Sequence, residues 1–176
     1  MSAPRYIYRD LETPGIERLE VYRAAGGYQA FEKALPFSEG LAAVEMNGLW
    51  GYIDKTGGTV IEPRFEDAYR FSEGLAAVKS EGQYGYIDLT GACVVQPQFA
   101  FAEAFSEGLG LVKEEGDSGR LSGYVDKTGT IAIQPQFLTA GTFDGGLARV
   151  TGRADAAFVV GYIDTAGVMV WQVARD

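Results

Sequence analysis

Leu75-Ala76-Ala77-Val78 is a short apolar run, Lys79-Ser80-Glu81-Gly82-Gln83 is polar and holds a glycine, and Tyr84-Gly85-Tyr86-Ile87-Asp88 returns to aromatic and β-branched residues. This order predicts two short strands joined by a tight hairpin, because such side chains suit a pleated, half-buried surface. Asp88-Leu89-Thr90-Gly91 predicts a second turn. The aspartate can accept a backbone hydrogen bond two residues on, and the glycine can take a positive φ without steric cost. Cys93-Val94-Val95 predicts a third strand, ended by Pro97, which has no N–H for an interior ladder position. The stretch from a proline to the next Phe, as in residues 63–70, lacks clean alternation. It reads as a crossover with its Phe and Ala turned inward.

The same pattern recurs four times. Phe-x-x-Gly-Leu begins at Phe37, Phe71, Phe105 and Phe143, and Gly-Tyr-(Ile/Val)-Asp follows at Gly51, Gly85, Gly123 and Gly161, with a further glycine at Gly57, Gly91, Gly129 and Gly167. Pro-x-Phe closes three copies, at Pro63, Pro97 and Pro135, whereas Val173 stands in that place in the fourth. The leading Phe recurs after 34, 34 and 38 residues, a period typical of stacked or radially arranged units that cannot bury an apolar face alone. The expectation is a mainly β protein of four tandem three-strand repeats, either solenoid-like or closed. From Val112 to Gly123 and from Val150 to Gly161 the gap is eleven residues where the first two copies have seven. Residues 113–122 and 151–160 are therefore expected to form surface loops and are candidate contact sites.

Residues 1–36 break the pattern. Thr13-Pro14 reads as an N-cap and first helical position, and Ile16, Leu19 and Tyr22 fall near helical spacing before Gly26-Gly27. A second short helix is predicted over residues 28–35, with Ala30, Phe31, Ala34 and Leu35 on one face and Pro36 closing it. The chain thus divides into a helical cap or docking segment, 1–36, and a repeat domain, 37–176. A cap suits an array whose end would otherwise be exposed.

Charge and composition narrow the function. Of 176 residues, 47% are hydrophobic, enough for one ordinary core. The net charge of −9 comes wholly from the repeats: residues 1–36 carry five Lys/Arg and five Asp/Glu, residues 37–176 ten and nineteen. That surface argues against nucleic acid or an anionic membrane as partner. Zero histidines and one cysteine, Cys93, remove the commonest general base, the commonest zinc ligand and any internal disulfide. No apolar run reaches signal-peptide or membrane-span length, so the expectation is a cytoplasmic protein without membrane insertion.

The repeat resembles the WG-repeat family over residues 37–172, through its glycine-leucine-alanine phrase, its aromatic-glycine pair followed by an aromatic, an aliphatic and Asp, and its closing Pro-x-Phe. Trp50-Gly51 keeps the tryptophan that names the family; Tyr84, Ser122 and Val160 take its place elsewhere. The resemblance implies a β-rich repeat body used as an interaction module. Arg9-Asp10-Leu11, Pro14-Gly15, Leu19, Val21-Tyr22, Gly26-Gly27-Tyr28-Gln29-Ala30 and Lys33-Ala34-Leu35 are similar to the opening of the flavoprotein subunit of NADH:quinone oxidoreductases. That family's glycine-rich nucleotide loop and cluster cysteines are missing, so the similarity implies docking alone and no flavin, NADH or cluster residue.

Repeated carboxylates are the most tempting chemistry. Paired carboxylates can cleave glycosides, and several converging oxygens can hold calcium. Yet Asp54, Asp88, Asp126 and Asp164 each stand just before Thr-Gly or its equivalent, where turn capping accounts for type and spacing. Glu39, Glu73 and Glu107 read as solvated turn residues, Tyr52, Tyr86, Tyr124 and Tyr162 as core, and Cys93 as a small buried residue. The sequence therefore points to a non-catalytic protein-interaction module with no cofactor and no metal. It would be an accessory or assembly component of a larger complex, such as an NADH dehydrogenase-type respiratory complex, or a free-standing binding protein, for example toxin-neutralising. Leu19, Tyr22, Tyr28 and Phe31 in the cap and Trp50 and Tyr84 on the repeats are the expected partner-binding residues.

Overall fold

In a computed structural model, which describes residues 33–116, 119–154 and 157–175, the chain forms sixteen strands. They make four antiparallel meanders of four strands each. The first sheet holds β1 (Lys33–Ala34), β2 (Leu41–Met46), β3 (Leu49–Asp54) and β4 (Thr59–Phe65); the second holds β5 (Asp67–Ala68), β6 (Leu75–Ser80), β7 (Gln83–Asp88) and β8 (Cys93–Phe99). The third holds β9 (Phe101–Ser106), β10 (Leu109–Gly116), β11 (Gly119–Val125) and β12 (Ile131–Phe137), and the fourth β13 (Thr139–Ala140), β14 (Leu147–Ala154), β15 (Ala157–Asp164) and β16 (Met169–Arg175). One residue, Glu66, Ala100 or Leu138, separates the last strand of a sheet from the first strand of the next.

Each unit therefore has four strands, not three, because the stretch read as a crossover contributes β5, β9 and β13. Two-residue strands leave no alternation for a sequence pattern to show. No described residue is helical, and the end of the second predicted helix is instead β1, in which Lys33 pairs with Glu45 and Ala34 with Val44. The rest of the predicted cap lies outside the described residues. The long gaps are not loops either. Four extra residues lengthen the hairpin by two on each strand, so Lys113 pairs with Ser122 and Glu115 with Arg120, and Thr151 with Val160 and Arg153 with Phe158. An even addition keeps the inward and outward alternation intact.

Prolines 63, 97 and 135 lie inside strands rather than ending them. Tyr52 pairs with Ile61 but Trp50 with Phe65, so three residues on β4 face one on β3. The bulge leaves Pro63 off the ladder, where a missing N–H costs nothing. It also brings the strand down on Gly51: a Cβ there would lie 2.7 Å from the Pro63 nitrogen. The second and third units repeat this at Gly85 and Gly123. In the fourth unit, with Val173 in the proline position, the pairing runs unbroken from Phe158 opposite Arg175 to Tyr162 opposite Trp171.

The core lies between sheets. One cluster joins Tyr52, Ile61 and Phe65 of the first unit to Phe71, Val78 and Ile87 of the second; a second joins Tyr86, Val95 and Phe99 to Phe105, Val112 and Val125; a third joins Tyr124, Ile133 and Phe137 to Phe143, Val150 and Ile163. Tyr52, Tyr86 and Tyr124 are fully buried, each ring centroid 4.8 Å from that of Phe71, Phe105 or Phe143. Their hydroxyls donate to the next unit's carbonyls, at Tyr69 (2.8 Å), Glu103 (2.8 Å) and Gly141 (2.6 Å). Ser38, Ser72 and Ser106 donate to the carbonyls of Phe71, Phe105 and Phe143 at 2.7–2.8 Å.

The glutamates expected to be solvated turn residues do more. Glu39, Glu73 and Glu107 accept from the N–H of Gly74, Gly108 and Gly146 in the following unit, at 2.9, 3.0 and 2.9 Å. The aspartates do serve their own turns: Asp54 Oδ1 accepts from Thr56 N, Thr56 Oγ1 and Gly58 N, and Asp88, Asp126 and Asp164 repeat the backbone part of the arrangement.

Three outcomes follow from this packing. Tyr86→Phe keeps the ring but strands a buried carbonyl and is expected to cost about 1–2 kcal/mol in urea unfolding, whereas Tyr86→Ala costs roughly 3–5 kcal/mol. Gly85→Ala drives a Cβ to 2.8 Å from the Pro97 nitrogen and should cost ~1–3 kcal/mol. Gly152→Ala, with nothing within 4 Å, should be close to neutral, and equal losses for the two would contradict the bulge.

Acid tests the carboxylates. Hydrogen bonds from Thr56, Thr90 and Thr128, joined by backbone N–H groups, hold Asp54, Asp88 and Asp126 below the ordinary range. Burial pushes Glu73 up, but Lys127 and the Gly108 N–H together outweigh it and leave it lowered. Carboxyls that titrate lower when folded stabilise fully above the unfolded pKa and lose that contribution as pH falls through the folded one. The Tm should be level from about pH 7 to 5 and fall below about pH 4; a Tm that rises on acidification would overturn this.

Candidate partner-binding cleft

Repeat positions that bond one unit to the next are fixed by that task, so a site is to be sought where the units differ. Tyr69, Tyr84 and Phe101 are such positions. Ser122 and Val160 replace the Tyr84 type in the third and fourth copies, and Asp67 and Thr139 stand where Phe101 does. At the junction of the second and third units the three rings meet edge to edge, with centroids 6.2 Å apart for Tyr69 and Tyr84, 6.3 Å for Tyr69 and Phe101, and 5.7 Å for Tyr84 and Phe101. Edge-to-face contacts of this kind fix ring orientation as well as burying area.

The strands set each position. Tyr84 projects from β7 and packs into the second core, Phe101 opens β9, and Tyr69 follows β5 with its N–H bonded to the Ala77 carbonyl at 2.9 Å. β9 has six residues where β5 and β13 have two, and its pairing of Phe101 with Lys113 carries the aromatic ring to the unit boundary. An open cleft of about 580 Å³ runs along this edge, lined by Tyr84, Phe101, Lys79, Gln83, Glu115 and Arg120.

The cleft is lined mostly by polar and charged residues, with Phe101, Ala100 and the edge of Tyr84 as its apolar part. Lys113 Nζ stands 5.0 Å from the Phe101 centroid and Lys79 Nζ 5.8 Å from that of Tyr84. Arg120 Nε donates to Glu115 at 2.6 Å, and Lys79 is 3.9 Å from Glu66. Tyr84 donates its hydroxyl to Asp67 at 2.7 Å. Burial, that hydrogen bond and the Asp67 charge push Tyr84 well above the ordinary tyrosine range, and burial with the charges of Asp67 and Glu103 raises Tyr69. Both phenols are protonated throughout the neutral range. The arrangement can hold an apolar or aromatic side chain of a partner segment and place polar groups around it.

Of the residues expected to bind a partner, Leu19, Tyr22, Tyr28 and Phe31 lie outside the described residues. Trp50 and Tyr84 form no surface strip: both are buried, Trp50 in the first core opposite Phe65 and Tyr84 in the second opposite Phe99, and of the two Tyr84 borders the cleft. Alternation does set Trp50 and Tyr52 on one face, but the next sheet covers that face. Tyr69 and Phe101 were not singled out by sequence. Their signal was departure from the repeat inside the stretch that had been read as a crossover. Cys93, expected to be buried, is exposed at the first position of β8, with burial raising its thiol and the Arg64 charge opposing.

No curated protein matches the chain. Among solved structures it is similar to "KlHsv2 with loop 6CD replaced by a Gly-Ser linker", at 12% identity and a TM-score of 0.54 over 81% of this chain and 52% of that one, and thus spans about half its length. "Crystal structure of the tricorn protease" aligns at 16% identity over 76% of this chain and 15% of that chain, with a TM-score of 0.40. The first likeness is one of fold. The family model described as WG containing repeat matches residues 30–50, 50–84, 84–116 and 123–151, the last three each running from one sheet into the next, and together more than half of the sequence, and the chain belongs to that family.

Proposed function

We propose that the chain is a non-catalytic protein-interaction module that holds a segment of a partner protein in the cleft between its second and third units. The observation that carries this reading is the cluster of Tyr69, Tyr84 and Phe101, three rings brought together where the repeat abandons its own consensus. Aromatic anchors ringed by polar groups are the usual energetic centre of protein interfaces. A repeat β-fold suits this role, since it offers a fixed surface whose variable positions can change without disturbing the stack.

The module would act as an accessory or assembly component of a larger complex. The finer reading, an NADH dehydrogenase-type respiratory complex, is supported by the similarity within residues 9–35 alone. Native pull-down with mass spectrometry identifies the partner, and titration of the full chain against it then tests the cleft. Phe101→Ala combined with Lys113→Glu should weaken binding at least about tenfold, or roughly 1.4 kcal/mol, with circular dichroism confirming the fold, since Phe101 also packs against the second core; Ala132→Ser, on the exposed side of β12, should leave binding unaltered. Unchanged affinity in the double variant would reject the cleft. Removal of residues 1–32 separates the two roles: loss of a respiratory complex on truncation supports the docking segment. Retention on truncation with loss in the cleft variant assigns the partner to the repeats, as a free-standing binding protein would require.

A further inference from the structure

The last strand of every unit lies at the edge of its sheet, with backbone groups turned away from the ladder. In three units the sequence guards that edge. β4 is centred on Glu62-Pro63-Arg64, β8 on Gln96-Pro97-Gln98 and β12 on Gln134-Pro135-Gln136, and in each the register breaks at the proline. A missing N–H, polar flanks and a bulge are devices that stop an edge from recruiting another strand.

β16 lacks the proline and the bulge beside it, and its register shift falls instead at Val170. It reads Met169-Val170-Trp171-Gln172-Val173-Ala174-Arg175, with valine for proline, no charged residue from 169 to 174, and unbroken pairing to β15 from Trp171 to Arg175. Val170, Trp171 and Val173 are 58%, 55% and 42% exposed. The residues in the Trp171 position of the other units, Ile61, Val95 and Ile133, are at most 4% exposed. On the preceding strand Tyr162 is 39% exposed where its three counterparts are fully buried, and its ring lies 6.2 Å from that of Trp171. The fourth unit thus presents a mostly apolar edge, paired in register from Trp171 to Arg175, beside an exposed aromatic pair.

We infer that β16 is a strand-pairing interface whose occupant is β16 of a second copy of this chain, antiparallel across a two-fold axis, so that the two fourth sheets become one. Two features favour a second copy. A strand that pairs antiparallel with itself sets the residues on either side of its centre against one another, so the two sides must suit each other. A two-fold at Gln172 would set Trp171 against Val173 and Val170 against Ala174, all apolar. The second feature is charge. Two chains of net charge −9 repel one another, and contact is least opposed along a strand that carries no acidic residue.

Light scattering of the full chain across a concentration series tests this. The expected result is twice the mass of one chain, and two variants should each raise the dimer dissociation constant at least about tenfold. Val173→Pro restores the guard that the other units carry. Val170→Lys places a charge on the open edge without touching the proline position, so it decides the matter if Val173→Pro disturbs the fourth sheet; circular dichroism and Tm confirm that each variant folds. A chain that stays monomeric at every concentration overturns the inference, as does a dimer that Val170→Lys leaves at full strength. A monomer that instead takes up an extended peptide along β16 overturns it in favour of a different occupant.

Discussion

A tyrosine ring held between one sheet and the next, its hydroxyl bonded to a carbonyl of the following unit, is the interaction on which the rest of this protein depends. Each four-stranded sheet is too small to bury its own faces. Three apolar clusters are shared between units rather than owned by them, and a smaller one, Ala42, Val44, Met46 and Ile53, lies within the first sheet. Burial raises the pKa of Tyr52, Tyr86 and Tyr124 far above the ordinary tyrosine range. The phenol therefore stays protonated and remains a donor, and the neighbouring carbonyl that would otherwise be lost to water is satisfied. The serine hydroxyls and glutamate carboxylates on either side lock the same junction from the surface. No one of these contacts is large, but each recurs at every junction in the same geometry.

The glycine and proline of the repeat are consequences of that junction. For β4 to leave its own sheet and begin the next after a single residue, it must bend sharply, and the bulge opposite Gly51 supplies the bend. A side chain at Gly51 would strike the bulged strand, and an N–H at Pro63 would have no ladder partner there. The two residues are thus one device. The fourth unit provides the internal contrast: with Val173 in the proline position the bulge opposite Gly161 is absent and the pairing runs in register from Trp171 to Arg175. The same change that removes this bulge also removes the proline that guards the edge. Tyr162 and Trp171 are exposed because no described unit packs on them as the following units pack on Tyr52, Tyr86 and Tyr124.

Much of this was legible because it is local. The hairpins, the Asp-x-Thr-Gly turns and the third strand could be read from alternation and turn chemistry, and they stand where the sequence put them. What was not legible is what crosses from unit to unit. Glu39 looks like a turn residue because its partner, the Gly74 N–H, lies in the next repeat; its positive φ of 52° accords with a turn, but its carboxylate serves a junction. Pro97 reads as a strand end because a proline usually is one, and only the bulge makes room for it. Two-residue strands carry no period at all. Trp50 was taken for surface because pattern shows which face a residue shares, not whether another sheet covers that face.

The cleft follows from the same division of labour. Residues committed to the junction, the glycine, tyrosine, phenylalanine and proline, cannot change without disturbing a core, so they repeat. Positions at the rim of the junction are free of that demand, and there the units diverge, Tyr69, Tyr84 and Phe101 among them. An array built on identical junctions can therefore be specific only at its rims and at its ends. The second junction differs at its rim by gaining aromatic rings, and the fourth unit differs at its end by losing a proline. At the second junction the departure sets buried and half-buried rings beside a polar cleft, and in the fourth unit it leaves an edge unguarded; both are fixed by a rigid stack behind them and are ordered before any partner arrives.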